Sequence, residues 1–210
     1  MRCKALHFVL SSLVVIMVVA APAHAQGNVR GIVRLGGDFG GDQVLQFKYS
    51  DGSSPSVTAG GGMLLSGGAA LELLGSAEQS LDLQGTVGVK YRTIPPASNQ
   101  NVTWARFPVE GLLMYRAPFG MRIGGGAAVH LGNVLEATGA TVNNRVEFKP
   151  TPGYVTQAEY GRGHWSFDLR YTMMKYEVSS GGTGTVSANS LGAGLSYALG
   201  GSRSSAAMTH

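Results

Sequence analysis

The stretch Leu81 to Thr93, LDLQGTVGVKYRT, shows the pattern that decides the fold. Apolar residues such as Leu83 alternate in it with polar residues such as Asp82 and Lys90. Because successive side chains leave a pleated strand on opposite sides, a period of two predicts a β-strand with one apolar and one polar face. The same alternation recurs along the chain without helical segments that could cover the apolar faces, which favours a barrel wall facing lipid.

The composition predicts one glycine-rich, all-β domain, since the 210 residues include 32 glycines and only 13% charged residues. The first 25 residues have the form of a secretory signal: basic Arg2 and Lys4, the apolar run Leu6 to Ala21, and the small-residue cleavage site Ala23-His24-Ala25. A permanent transmembrane anchor is the alternative. It is disfavoured because the run is shorter than the roughly 20 residues that a helix needs to span a bilayer.

Several kinds of chemistry are excluded by the residues that remain after such a cleavage. The only cysteine, Cys3, lies in the predicted signal, so the mature chain has no thiol and no disulfide. Removing Arg2 and Lys4 from the 16 basic residues leaves 14 against 12 acidic ones, and these are dispersed rather than clustered as nucleic-acid binding requires. Outside the signal and the tail, only His130 and His164 are histidines, and they lie on different strand ends. We expect no cofactor, no metal and no nucleic-acid partner.

Eight segments repeat the alternation of the opening stretch: 28–38, 62–73, 81–93, 103–116, 121–132, 146–160, 164–176 and 188–199. Connections after the odd-numbered segments are long and those after the second, fourth and sixth are short, which predicts a closed, antiparallel, up-and-down barrel of eight strands. Pro150 and Pro152 cannot donate ladder hydrogen bonds, so we expect a bend or bulge there. The Asp51-Gly52 pair predicts a hairpin that protrudes within the long connection at about 39–61.

The domain organisation follows from these segments. We expect a signal peptide at 1–25, a barrel at 26–200 and a flexible tail at 201–210.

The strand parities predict a charged barrel interior. Nine basic and seven acidic residues fall on the inward face: Arg30, Arg34, Lys90, Arg92, Arg106, Arg116, Arg122, Lys149 and Arg170, with Asp38, Glu72, Asp82, Glu110, Glu147, Glu159 and Asp168. Eight strands enclose a lumen just wide enough for side chains or one small ligand, and charges buried there must pair. We therefore predict a network that plugs the barrel. A narrow pore or ligand pocket is the alternative, favoured by small inward residues such as Gly36 and Gly192.

The outward faces predict two aromatic girdles at the levels where a bilayer meets water. Tyr115, Tyr160, Trp165 and Tyr197 form one at the short-turn end, and Tyr91, Phe107 and Phe148 form the other toward the long-loop end.

The chain resembles the small eight-stranded outer-membrane β-barrel proteins of Gram-negative bacteria, the OmpX and OmpA transmembrane-domain class. The resemblance covers about 26–200 and depends on the signal ending Ala23-His24-Ala25, the eight alternating segments and the order of short and long connections. It implies an outer-membrane location, insertion by the barrel-assembly machinery, contact with lipid including lipopolysaccharide, long loops outside the cell and short turns in the periplasm. One departure is that such proteins usually end on an aromatic residue, whereas here SLGAGLSYAL is followed by 200–210.

The expected role is structural or in surface interaction, carried by the long loops of a monomer that is not an enzyme. A narrow channel is the second class, and a lipid-modifying enzyme the third. His130 is the natural base for acyl hydrolysis, but no serine stands at a matching outward spacing to serve as nucleophile. A soluble, lipocalin-like barrel is the chief rival fold, and it would need the inverse parity, with an apolar interior and a polar exterior.

Overall fold

The computed structural model describes residues 29–46, 56–75, 79–94, 101–138 and 143–200. The predicted signal, the predicted tail and the turn of the predicted hairpin lie outside these residues. The strands are β1 (Val29–Phe39), β2 (Gln43–Gln46), β3 (Ser56–Thr58), β4 (Gly62–Gly75), β5 (Ser80–Ile94), β6 (Asn101–Arg116), β7 (Met121–Thr138), β8 (Asn143–Lys149), β9 (Pro152–Arg162), β10 (Trp165–Met173), β11 (Lys175–Ser180), β12 (Thr185–Ser187) and β13 (Ser190–Leu199). Among the residues described, no helix has the length and apolar character needed to cross a membrane.

Eight of these strands close into an antiparallel barrel. Around the ring the order is β1, β4, β5, β6, β7, β9, β10 and β13, and β13 pairs with β1 to complete it. The register at the closure sets Leu35 opposite Leu195 on one side and opposite Leu65 on the other. The predicted fold class, an all-β antiparallel barrel of eight strands, is confirmed.

The two faces of the barrel wall have opposite chemistry. Leu35, Leu65 and Leu195 are each more than half exposed on the outside, whereas Arg34 and Asp168 are buried on the inside. Every barrel strand contributes large apolar side chains to the outside, and such a continuous apolar surface is stable against lipid rather than water. The arrangement is the inverse of a soluble lipocalin-like barrel.

At the long-loop end the wall continues beyond the ring on one side. There β8 pairs with the end of β7, β11 pairs with β8, and β12 pairs with β11. We call these paired segments the sheet extension. Residues 133–145 lie between the fifth and sixth predicted segments, where the sequence predicts a long connection, but they include the end of β7 and the start of β8.

The hairpin in the first long connection is present, since β2 pairs with β3. Its described strands do not protrude, and for them that prediction is wrong. Val57 and Ala59 are fully buried in an apolar cluster with Trp104 and Tyr176, so the hairpin packs against the inner face of the wall. The gain from burying these side chains explains why the hairpin folds inward.

The sixth predicted strand is two strands, β8 and β9, separated at Pro150 and Thr151. This break reverses the parity: even-numbered Tyr154 and Tyr160 face outward on β9, but even-numbered Phe148 faces inward on β8. A one-residue slip moves every following side chain to the opposite face. The neighbouring strand β7 has a matching irregularity at Gly132, whose φ is 55°. Even-numbered residues such as His130 face inward before it, and odd-numbered residues such as Asn133 face inward after it.

Candidate functional site

The candidate site is the charged interior of the barrel, which is built in tiers along its axis. At the short-turn end, Asp82 of β5 is the centre of the lowest tier. Its carboxylate meets Arg30 at 2.5 Å, Arg122 at 3.4 Å and Arg116 at 3.9 Å, and Arg122 also binds Glu159 at 2.5 Å. Three arginines from three strands therefore converge on one carboxylate.

The middle tier joins β1 to β10 across β13. Arg34 donates from Nε and Nη2 to Asp168 Oδ1 at 2.9 and 2.6 Å, and the Ser196 hydroxyl donates to Asp168 Oδ2 at 3.3 Å. Charge-assisted bonds of this kind are about twice as strong as neutral ones. This pair fixes the register across three adjacent strands.

Two further ion pairs lie above it. Lys90 meets Asp38 at 2.5 Å, and Arg170 donates to Glu110 at 2.6 Å. All four side chains are at most 5% exposed. Charges so far from water are stable only because each has its partner.

In the upper tier, arginine side chains donate to backbone carbonyls rather than to carboxylates. Arg106 is fully buried, stacks over the Trp104 ring at 4.6 Å and donates to the carbonyls of Ala59 at 2.6 Å and of Gly61. Arg92 donates to Ser56 O at 3.1 Å. These two arginines therefore hold the hairpin in place, a role that the sequence did not reveal.

Aromatic residues complete the upper tier. Trp104 stacks on Phe148 with centroids 5.4 Å apart and donates from Nε1 to Asn133 Oδ1 at 2.5 Å. Tyr176 lies against both rings, and its hydroxyl contacts His130 Nδ1. The lumen above the ion pairs is thus filled by packed rings rather than by water.

The structure places most of the predicted interior residues inside, but three of the predicted positions are wrong. Glu147 and Lys149 lie on the outer face of β8, where they pair with Arg145 and with Glu177 at 2.9 and 2.8 Å. Phe148, predicted for the outer girdle, is 5% exposed in the apolar cluster. All three errors come from the parity reversal at Pro150 and Thr151. Glu72, also predicted inside, is half-buried at the lowest tier.

The other predicted girdle residues face outward or lie at the edge of the wall. Tyr115, Tyr160 and Trp165 are exposed at the short-turn end, and Tyr197 packs on Trp165 with centroids 4.8 Å apart. Toward the long-loop end Tyr91 is exposed and Phe107 half-buried. Three outward aromatics that the sequence analysis did not assign to a girdle, Phe39, Tyr154 and Tyr171, are exposed at that end.

His130, the candidate base, lies on the inner face of β7 and is 4% exposed. Its ring contacts the Tyr176 hydroxyl inside the barrel, on the face of the wall opposite the lipid-facing one. Within the described ranges no three His, Cys, Asp or Glu side chains are grouped so that they could hold a metal ion.

The outer face of the sheet extension carries paired charges. Arg145 bridges Glu136 at 2.7 Å and Glu147 at 2.9 Å, and Lys149 bridges Glu177 at 2.8 Å. All of these side chains are about half exposed. We call them the charge ladder.

A cavity of about 730 Å³ opens at the short-turn end, below the lowest tier. Its walls include Arg30, Arg116 and Arg122 on one side and Phe119 and Trp165 on the other. The cavity ends where the ion pairs of the middle tier fill the lumen.

No protein-family model matches the sequence, and the comparison with curated proteins finds no match. Among solved structures, Ail, the attachment invasion locus protein of Yersinia pestis, is similar over 82% of this chain and 99% of Ail, with 12% identity and a TM-score of 0.49. Neisserial surface protein A is similar over 80% of this chain and 94% of its own, with 13% identity and a TM-score of 0.44. AlkL, an outer membrane protein, is similar over 85% and 93%, with 14% identity and a TM-score of 0.42. This chain is a closed eight-stranded barrel by its own strand pairing.

Proposed function

We propose that the protein is an integral outer-membrane barrel whose lumen is sealed and whose long-loop end serves as an interaction surface. The observation that supports the proposal is the set of buried ion pairs Arg34–Asp168, Lys90–Asp38 and Arg170–Glu110 in the middle of the lumen. Lipid, including lipopolysaccharide, surrounds the apolar outer belt, and the barrel-assembly machinery inserts the chain as a monomer.

The seal explains why transport is not the preferred function. An ion or solute that passes would have to separate pairs that are almost wholly removed from water, and each separated charge would remain buried without a partner. Above the pairs, Trp104, Phe148 and Tyr176 pack under the hairpin and add a second, apolar barrier.

The long-loop end has the properties of an interaction surface. The sheet extension projects beyond the barrel, and its charge ladder presents half-exposed side chains of both signs. Exposed ion pairs contribute only about 0–1 kcal/mol to stability, so their charges are available to a partner at little cost to the fold. A non-catalytic role fits the burial of His130 beneath Tyr176.

Conductance in planar bilayers tests the seal. The purified mature barrel is expected to give no stable, resolved current steps at neutral pH. Arg34→Ala combined with Asp168→Ala removes only one of the three pairs, and this variant is also expected to give no steps because Lys90–Asp38, Arg170–Glu110 and the packed rings remain. Stable steps from the unchanged protein would contradict the proposal.

Charge reversal tests the surface role. Arg145→Glu reverses one charge of the charge ladder, and Arg162→Glu reverses one charge at the short-turn end as the matched control. Cells that display equal amounts of folded barrel are compared in adhesion and serum-survival assays. The ladder variant is expected to lose the phenotype and the control to keep it; equal behaviour of the two would contradict a role for the long-loop end.

A further inference from the structure

The cavity at the short-turn end combines space with an arrangement of charge that the sealed-barrel role does not use. Its volume of about 730 Å³ falls in the range of roughly 300–1,000 Å³ that small-molecule sites occupy. It is formed by the ends of β1 and β13 and by the two short turns around Pro118 and Gly163. A ligand of a few tens of atoms or fewer fits inside.

The carboxylates of this region lie behind the arginines. The side chains of Asp82 and Glu159 are 1% and 2% exposed, whereas those of Arg30 and Arg116 are 16% and 29% exposed. The surface that meets the cavity is therefore largely guanidinium. Glu72 also lines the cavity, and Arg162 stands at its rim, so four arginines face three carboxylates.

The arginines have more donors than their partners can accept. A guanidinium has five N–H donors. Arg30, Arg116 and Arg122 all approach one oxygen, Asp82 Oδ2, and Arg116 stays at 3.9 Å, beyond hydrogen-bond distance. Nε of Arg122 is buried without a hydrogen-bond partner in the described part of the chain. Arg116 is thus held in the wall near Asp82 without a hydrogen bond to it, and its side chain is 29% exposed.

The remaining wall strengthens the effect of these charges. Val29, Ile32, Phe119 and Trp165 supply apolar and aromatic lining. The four arginines and three carboxylates leave a net positive charge, and low-dielectric walls strengthen its field and raise the local concentration of anions. A planar guanidinium fork matches the oxygen geometry of phosphate with two parallel hydrogen bonds.

We propose that this cavity is a phosphate-binding vestibule, in which Arg116, with Arg30 and Arg122 beside it, binds the phosphate group of inorganic phosphate or of a phospholipid. The vestibule works independently of the interaction surface at the opposite end of the barrel. Trp165 and Tyr197, which line the cavity, also belong to the aromatic girdle at the short-turn end.

Calorimetric titration of the folded barrel in a neutral detergent tests the proposal. Inorganic phosphate, titrated against chloride at matched ionic strength, is expected to bind saturably, and Arg116→Gln is expected to weaken binding at least tenfold. Arg145→Gln, at the long-loop end, is the matched control and is expected to leave the affinity within twofold. If Arg116→Gln yields no folded barrel, Arg162→Gln at the exposed rim replaces it, with at least a threefold loss expected.

Two ligands distinguish the source of the phosphate. Dihexanoyl phosphatidic acid is expected to bind at least tenfold more tightly than inorganic phosphate if the natural ligand is a lipid, and to bind equally if it is a free ion. Dihexanoyl phosphatidylcholine, whose phosphate is masked by a cation, is expected to bind more weakly than either. Absence of saturable binding for both phosphate probes, or an equal loss in Arg116→Gln and Arg145→Gln, would overturn the proposal.

Discussion

Replacing Asp168 by asparagine is expected to destabilise the barrel far more than removing an exposed charge. Asp168 accepts two hydrogen bonds from Arg34 at 2.9 and 2.6 Å, and the side chains are 0% and 4% exposed. The variant keeps the volume but leaves the Arg34 guanidinium buried without a counter-charge. Breaking a buried pair in this way costs about 3–5 kcal/mol.

Lys149→Met is the matched comparison, because its pair with Glu177 at 2.8 Å is half exposed. Such a pair contributes about 0–1 kcal/mol. A double variant, Arg34→Met with Asp168→Leu, removes both charges of the buried pair and is expected to cost less than Asp168→Asn alone, since no unpaired ion remains.

Urea unfolding of the mature barrel in lipid or detergent measures these differences in the free energy of unfolding. Trp104 and Trp165 report the transition by their emission, and comparable slopes with urea would show that the same surface unfolds in each variant. If Asp168→Asn falls within about 1 kcal/mol of Lys149→Met, the interior charges are not desolvated as the structure indicates.

Three further predictions concern packing, the hairpin and the lipid-facing surface. Gly68→Ala is expected to prevent barrel folding, because the added Cβ would lie 1.9 Å from the carbonyl oxygen of Gly85. Gly85→Ala is expected to fold, because a Cβ at that position would meet no atom within 4 Å. A heat-modifiability gel distinguishes the two outcomes. Val57→Asp puts an unpaired carboxylate into the apolar cluster. Amide hydrogen exchange is then expected to become at least tenfold faster in β2 and β3 but to stay unchanged in the barrel strands. Unchanged exchange in β2 and β3 would show that the hairpin is not docked. Leu35→Arg is expected to lower the free energy of unfolding in lipid by about 2–4 kcal/mol, because it puts a charge on the lipid-facing side. Ser179→Arg, on the exposed β11, is expected to change it by no more than about 0.5 kcal/mol. Similar changes in the two variants would argue against the lipid-facing belt.

The period of two was enough to predict the fold because lipid and lumen impose opposite preferences on neighbouring residues. Leu81 to Thr93 matches β5 almost to its ends, and Asp82 and Lys90 face the interior as their parity requires. No pattern within one strand identifies an ion-pair partner. Asp82 meets Arg30 of β1, and Lys90 meets Asp38 of β1, because the barrel closes with a particular register.

Phe148 shows where the alternation fails. The sequence predicts one strand through Pro150 with a bend or bulge and one parity throughout, but the parity reverses between β8 and β9. A bulge of one residue leaves little trace in the pattern of apolar residues, yet it exchanges the two faces. Pro150 and Pro152 correctly predict where the strand is interrupted, but they do not predict that the interruption exchanges the inward and outward faces.

The docked hairpin shows a second limit. An Asp-Gly pair predicts a turn from local backbone preferences. Whether the hairpin protrudes depends on contacts such as those from Arg106 to the carbonyls of Ala59 and Gly61, which are far apart in sequence from the arginine. Only the closed barrel brings these groups together.

Spin labels placed singly along β13 test most directly whether the apolar face meets lipid and the polar face meets a sealed interior. The mature chain is expected to lack cysteine, so labels can be introduced at Leu191, Leu195, Ser190 and Ser196. Collisions with oxygen dissolved in the bilayer are expected to be frequent at the two leucines and rare at the two serines. Little access to a water-soluble nickel chelate is expected at Leu191, Leu195 and Ser190, whereas Ser196 lines the open cavity at the short-turn end, so the chelate is expected to reach it. Equal oxygen access at neighbouring Leu191 and Ser190, or strong chelate access at Ser190, would contradict the sealed, lipid-embedded barrel.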